Sequence, residues 1–410
     1  MKKPLWPVSL GLLGVSLVWQ IYNAYVPLFL QAGRSDFKEG AGLKGFGLGS
    51  TTAGFVMTLD NLAALLILPV VGAWSDRLGK RKAFIVVGAP LAALGMWLVP
   101  QGVQNLPLFM LGLALVILAM DVFRTPLTAL LADLTSKEER SKGNGILMLG
   151  YGVGSVIAFT LGASLWKNSP SAPFTLAAVG MLAAGLLVAL LVREPKKSEV
   201  TTSETMPPLK ETLRNLSGTT RFILLASFFW TLGVSALEVF FTSFAVKAFS
   251  LDGGKAMMLM GFFGIAGILG AVPSGLLGTK LGRKTAVQLG LGLLVVLLPI
   301  VSTVTSLTLL RVMLVCMGLS WSLVQVNALP LALEEAPETR AGAFTGMFLT
   351  AGQLASVIGP VLSGWVIGRF GTEYRALFVY APFMMACAWL LLSRLPQVRT
   401  TNAALVGEAV

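Results

Sequence analysis

The chain has 410 residues, 55% of them hydrophobic and 12% charged, and its 31 Lys and Arg against 19 Asp and Glu leave a formal net charge of +12. So few charges cannot cover a water-soluble surface, and a mean hydropathy of +0.80 makes lipid the solvent. The sequence has no His, which removes the commonest metal ligand and general base; with no phosphate loop or nucleophile elbow either, no enzyme, metal or cofactor is expected.

Crossing a ~30 Å hydrocarbon core takes roughly 20 apolar residues, and about twelve runs in this chain meet that length. They are read as helices, because they lack the period-2 alternation of barrel strands and a spanning helix satisfies its own backbone groups. The first is expected from Leu5 to Leu30; it continues past Trp19 without a small-residue cleavage site, so it is read as a retained helix and not a signal peptide. The next five are placed at Leu48 to Trp74, Ala83 to Gln101, Leu108 to Asp133, Gly145 to Trp166 and Phe174 to Val192. The polar stretch from Glu194 to Thr220 reads as a solvated tether, within which Leu209 to Leu213 is open to either a short surface helix or coil. Six more spans follow at Phe222 to Val246, Met257 to Gly278, Ala286 to Val304, Leu309 to Leu333, Phe344 to Gly368 and Ala376 to Ser393. The expected organisation is an all-α membrane protein: a six-helix bundle over 1–193, a cytoplasmic linker over 194–220, and a second six-helix bundle with a short tail over 221–410.

Short loops rich in Lys and Arg stay cytoplasmic. With the amino terminus inside, Lys2, Lys3, the Arg77-to-Lys82 turn, Lys137, Arg140, Lys142, the linker, Lys280, Arg283 and Lys284 fall on that side, whereas the opposite loops hold scattered cations such as Arg34, Lys44 and Arg375. A multi-pass protein of the plasma (inner) membrane with both termini cytoplasmic is expected. The cations are spread through loops and not gathered on one face, so no nucleic-acid partner is expected. Cys316 and Cys387 sit in different spans and give neither a disulfide framework nor a metal spacing.

Between the second and third spans the chain reads Gly72-Ala73-Trp74-Ser75-Asp76-Arg77-Leu78-Gly79-Lys80-Arg81-Lys82. A worn copy returns half a chain later from Gly275 to Lys284, with Thr279 in place of the acid. Ser155-Val156-Ile157 and Ser356-Val357-Ile358 match at a similar spacing, as do Gly145 and Gly346, which points to an internal duplication and so to a carrier. The glycine-bounded turn lets Asp76 face the positive amino-terminal end of a neighbouring helix while the basic residues stay in water. Twelve spans in two halves with this turn resemble the major facilitator superfamily over the whole chain. The resemblance implies a monomeric alternating-access carrier in which Gly72, Asp76, Arg77, Gly79, Lys80 and Arg81 form a gating motif that latches the outward-open state. With Thr279, the second copy is expected to latch weakly or not at all.

A charge at a helix centre costs at least ~2.5 kcal/mol on insertion scales, so charges kept there are read as functional. Four stand out: Asp60 in the second span, Asp121 and Arg124 in the fourth, and Glu238 in the seventh. Asp121 and Arg124 are three residues apart, share a helix face and can neutralise each other. Glu238 has no cation nearby in its own helix, and Asp60 lies beside Asn61; either carboxyl can load and release a proton, or hydrogen-bond across helices. Asp133, Glu334 and Glu335, at helix ends, are expected to pair with Arg140 or Arg340. Gln20, Asn23, Tyr151, Trp230, Gln325, Asn327 and Gln353, spread over both halves, form a lining suited to a sugar-like ligand. Each alone can equally be an interhelical hydrogen bond or a packing aromatic.

The segment Asp121-Val122-Phe123-Arg124-Thr125-Pro126-Leu127-Thr128-Ala129-Leu130-Leu131-Ala132-Asp133 is similar to the fourth helix of the glycoside/cation symporter branch, which includes the sucrose:proton transporters and the melibiose permeases. The resemblance implies proton-coupled symport of a sugar or glycoside, with Asp121 as the sugar or proton carboxylate and Arg124 as its partner. Thr128 stands where the sucrose carriers have Arg. Asp60 lies further from the turn than the paired second-helix acids of the melibiose permeases, so a proton is expected ahead of sodium. Proton-driven efflux of lipophilic compounds is the alternative; the Gly-Pro-rich fifth-helix motif of such antiporters is unmatched, because Gly150 to Phe159 contains no proline. A non-transporting receptor or scaffold is the more remote reading, since it needs no titratable groups at mid-depth.

Overall fold

The computed structural model describes residues 5–34, 43–135, 140–192, 194, 217–334, 341–370 and 374–395. Among them, twelve helices are long and apolar enough to cross a membrane. The first six are α1 (Trp6–Gln31), α2 (Ser50–Leu78), α3 (Arg81–Gln101), α4 (Leu106–Leu134), α5 (Arg140–Ile157, continuing through a π turn at Ala158–Gly162 into Ala163–Leu165) and α6 (Ala172–Leu191). The others are α7 (Gly218–Phe249), α8 (Gly253–Leu281), α9 (Arg283–Val301), α10 (Leu307–Glu334), α11 (Ala341–Arg369) and α12 (Leu377–Ser393). Each overlaps an expected span. Several overrun it by about a turn, because an α-helix need not stop where its hydrocarbon-facing part ends, and residues such as Arg77 and Lys280 continue it into water. The linker between Glu194 and residue 217, with its Leu209-to-Leu213 stretch, lies outside the described residues, as do Lys137, Glu335 and Arg340.

The described helices sort into two compact units. The first comprises Met1–Ser203, Ala236–Gly261 and Pro360–Leu377, so the later halves of α7 and α11 and the start of α8 belong with α1 to α6. In it α3 runs along α4, and α1 is enclosed by α5 and α6. Small residues bring these backbones together and short hydroxyls pin them: Ser9 Oγ donates to the Ile146 carbonyl at 2.6 Å, and Ser16 and Ser155 share a bond of 2.7 Å. Gly150 and Gly154 of α5 lie against the Ser9 and Leu13 carbonyls of α1, while Phe159 and Ala163 meet Gly261 and Gly254 of α8. At the end remote from the α2–α3 turn, Ser50 Oγ donates to the Gly364 carbonyl at 2.9 Å, and the Tyr374 hydroxyl donates to Gln31 Oε1 at 2.5 Å.

The second unit comprises Glu204–Ser235, Phe262–Gly359 and Phe378–Val410. Within it α9 packs along α10. Ser274 and Ser322 share a bond of 2.6 Å between α8 and α10, and the Lys284 ammonium at the head of α9 donates to the Leu395 carbonyl beyond α12.

Candidate functional site

The mid-span acids gather in the first unit. Asp121 is 3% exposed, and its Oδ2 has no hydrogen-bond partner among the described residues; the hydroxyl of Thr125, one turn on, is also unpartnered. The expected ion pair with Arg124 is not formed. The Arg124 side chain is exposed and its charge acts on Asp121 without a direct contact. A long guanidinium side chain can leave a helix–helix seam that holds a short carboxylate. Asp60 on α2 is also within reach of the Asp121 charge. Its Oδ1 accepts from the backbone N–H and from Nδ2 of Asn61, at 2.6 and 2.8 Å, so these bonds are local and do not join helices. An unpartnered buried polar group costs about 1–3 kcal/mol.

A second convergence links α4, α5 and α7. The half-buried Tyr151 lies where the charges of Arg124 and Glu238 both act. From Leu232 to Val246 every residue of α7 is buried except Glu238, which is exposed.

Part of the expected polar lining is committed to other contacts. Gln20 Nε2 donates to Ser155 Oγ at 3.2 Å, and Asn327, 3% exposed, donates from Nδ2 to the Ser274 and Leu323 carbonyls, both at 3.0 Å. These two hold helices together. Trp230 is 4% exposed and tilts against Phe348 with ring centroids 6.3 Å apart, a packing role. Asn23 and Gln353 are half-buried, and Gln325 is exposed. Gln20 and Asn23 belong to the first unit; Trp230, Gln325, Asn327 and Gln353 belong to the second.

In the α2–α3 turn, Gly79 closes α2 at φ +60°, a left-handed conformation that glycine adopts without strain. That reversal sets Arg81 at the head of α3, where it pairs with Asp76 at 2.5 Å and with Asp133 at the end of α4 at 3.1 Å, and donates to Ser75 Oγ at 2.6 Å. Asp76 and Asp133 therefore both meet the Arg81 guanidinium at the head of α3. Arg77 and Lys80 are exposed, while Gly72 faces the Thr125 methyl, to which a Cβ would come within 3.5 Å. In the second copy Arg283 pairs with Glu334 at 3.5 Å, and Thr279 turns its hydroxyl back to the Leu276 carbonyl. Tyr22, fully buried and within reach of the Asp60 charge, was not among the expected site residues; its one sequence signal is a hydroxyl within an apolar run.

The profile of the Major Facilitator Superfamily matches residues 8–360. Multidrug resistance protein 2 of Bacillus subtilis is 25% identical over 345 residues, covering 82% of this chain and 84% of that protein. A sucrose transport protein of Arabidopsis thaliana is 25% identical over 174 residues, covering 35% of this chain and 29% of that one. Among solved structures, the nucleoside transporter NupG superposes with a TM-score of 0.76 at 13% identity, covering 95% of this chain and 99% of that chain. A bacterial homolog of the human lysosomal transporter Spinster, in an inward-facing and occupied conformation, superposes with a TM-score of 0.75 at 14% identity, covering 95% and 96%.

Proposed function

Because the chain belongs to the Major Facilitator Superfamily, we propose that it exports a lipophilic, cationic compound in exchange for protons, by alternating access across the plasma membrane with both termini inside. At the coarser level it is a multi-pass membrane protein and a secondary transporter. Glu238 carries the finer reading. A span facing lipid exposes a stripe of apolar residues, whereas one open carboxylate in an enclosed stretch marks access for a polar or cationic group. Asp121 and Asp60 are the proton-exchanging carboxylates, with Arg124 setting the field around Asp121. The near full-length likeness to Multidrug resistance protein 2 supports export over sugar uptake, and the sugar reading loses Gln20 and Asn327 to helix–helix bonds. Division into bundles at 1–193 and 221–410 and a monomeric working unit belong to the same proposal.

Sugar:proton symport is the second reading, favoured by the fourth-helix segment and the partial likeness to the sucrose transport protein. The two part in proteoliposomes loaded with acidic buffer. Ethidium accumulates with loss of luminal acid if the chain is an exporter, and Glu238→Gln lowers that rate by roughly tenfold or more, the loss expected for one charged contact worth about 1.4 kcal/mol. Sucrose-driven proton movement with no ethidium flux would replace the first reading by the second; full ethidium flux in the Glu238 variant would remove Glu238 from recognition.

A further inference from the structure

At the end remote from the α2–α3 turn, the close of α1 and the start of α2 form one stiffened edge. The N–H groups of Phe46, Gly47 and Leu48 donate back to the Phe29, Ala32 and Leu30 carbonyls, which occupies backbone acceptors on either side of Gln31 and fixes its place. Against this edge lie the later part of α11 and the single 3₁₀ turn Tyr374–Ala376 that leads into α12. Two kinds of bond cross between them. From α2, the Ser50 and Thr51 hydroxyls both donate to the Gly364 carbonyl, at 2.9 and 3.3 Å. From the far side, the Tyr374 hydroxyl donates to Gln31 Oε1 at 2.5 Å, across 343 positions of the chain. The Tyr374 ring is held in direction by Phe240 of α7, with centroids 6.3 Å apart, and by Lys247 Nζ, 5.8 Å from its centroid. All these residues lie in the first unit.

The two kinds of bond differ in what happens when a donor is lost. The Gly364 carbonyl has two hydroxyl donors, so removal of either leaves it served. Gln31 has no such reserve among the described residues: it is 0% exposed, its Nε2 is unpartnered, and Tyr374, 5% exposed, supplies the bond to its oxygen. We propose that the Tyr374–Gln31 bond is the clasp that holds this end of the carrier shut, and that its strength sets how often the central site opens to that face. The inference rests on the alternating-access reading and names the residues that govern one of its two openings. While the end is shut the pair is sealed from water, so deleting one partner leaves the other buried without a bond; once the edges part, water serves both groups and the same deletion carries no penalty. A one-sided deletion therefore favours opening. Replacing both partners by apolar groups removes the penalty together with the bond.

The test reads the opening itself and needs no substrate. Spin labels are attached at Lys167→Cys, after α5, and Ser250→Cys, between α7 and α8, both exposed and one from each proposed bundle, in the full chain with Cys316 and Cys387 replaced by Ser. Pulsed electron resonance in lipid nanodiscs then gives the distances between the labels and their populations. Tyr374→Phe keeps the ring and deletes the hydroxyl; it is expected to raise the ratio of the longer to the shorter distance by about fivefold or more. Adding Gln31→Met, an apolar side chain of similar length, is expected to return that ratio to within about twofold of the unsubstituted chain, a reversal that general loosening would not give. Two distances whose ratio is unmoved by Tyr374→Phe, or raised further by the second substitution, would overturn the clasp and leave alternating access standing. A single distance in the parent chain and in both variants would overturn alternating access and the clasp together.

Discussion

Gly54 of α2 sits so close beneath α11 that a methyl group there would lie 2.1 Å from the Pro360 carbonyl oxygen and 2.8 Å from its carbon. Both atoms are backbone, so no side chain can rotate away and the two helices must part. Overpacking of this kind costs about 1–3 kcal/mol. The Ser50-to-Gly364 bond, one turn earlier on α2, is stretched by the same parting and gives no relief. An alternating carrier has a second arrangement in which these ends separate and the methyl group is harmless, so Gly54→Ala should shift the population toward it by about 5- to 150-fold. The neighbouring Ala53 is fully buried. In an Ala53→Cys chain with Cys316 and Cys387 replaced by Ser, the rate of labelling by a membrane-impermeant maleimide should rise by that factor when Gly54→Ala is added. A lower melting temperature with an unchanged labelling rate would show the contact to be static, and the reasoning would fail.

Asp121→Asn is expected to abolish flux driven by a pH gradient while sparing downhill exchange of a labelled substrate, because it removes the exchangeable proton and keeps the shape; retained uphill flux in proteoliposomes would exclude the coupling role. Asp76→Asn breaks one of two ion pairs at Arg81, and an exposed pair is worth at most about 1 kcal/mol, so turnover should fall by no more than about fivefold with substrate affinity kept. Asn327→Ala removes the bond that ties α10 to the Ser274 carbonyl of α8 and should destabilise the chain by about 0.5–1.5 kcal/mol, read as a lower melting temperature in detergent.

Helix positions were legible because an apolar run of the right length has few alternatives in lipid. Asp60, Asp121 and Glu238 were legible for the complementary reason, that a carboxylate rarely survives in such a run without a use. Contacts that depend on the fold were not. Arg81 finds Asp133 across 52 positions, a pairing that local spacing does not show. Asp121 and Arg124 share a helix face in sequence, yet one enters a seam and the other leaves it. Gln20 and Asn327 looked like ligand groups because nothing in their own spans shows which neighbour consumes their hydrogen bonds. Nothing in the sequence singles out Tyr22 and Tyr25, since only the finished structure reveals that their hydroxyls lack partners among the described residues.

The π turn at Ala158–Gly162 has a geometric consequence for α5. A π turn inserts one residue into an α-helix, and one residue advances the helix by about 100°. Ala163, past the wedge, is therefore turned relative to Gly150 and Gly154 from where an unbroken α-helix would set it: the two glycines look toward α1 and Ala163 toward α8. A single rod is keyed in this way to two different companions. Deleting one residue inside the wedge would leave either docking face intact by itself while making it impossible for both to engage at once.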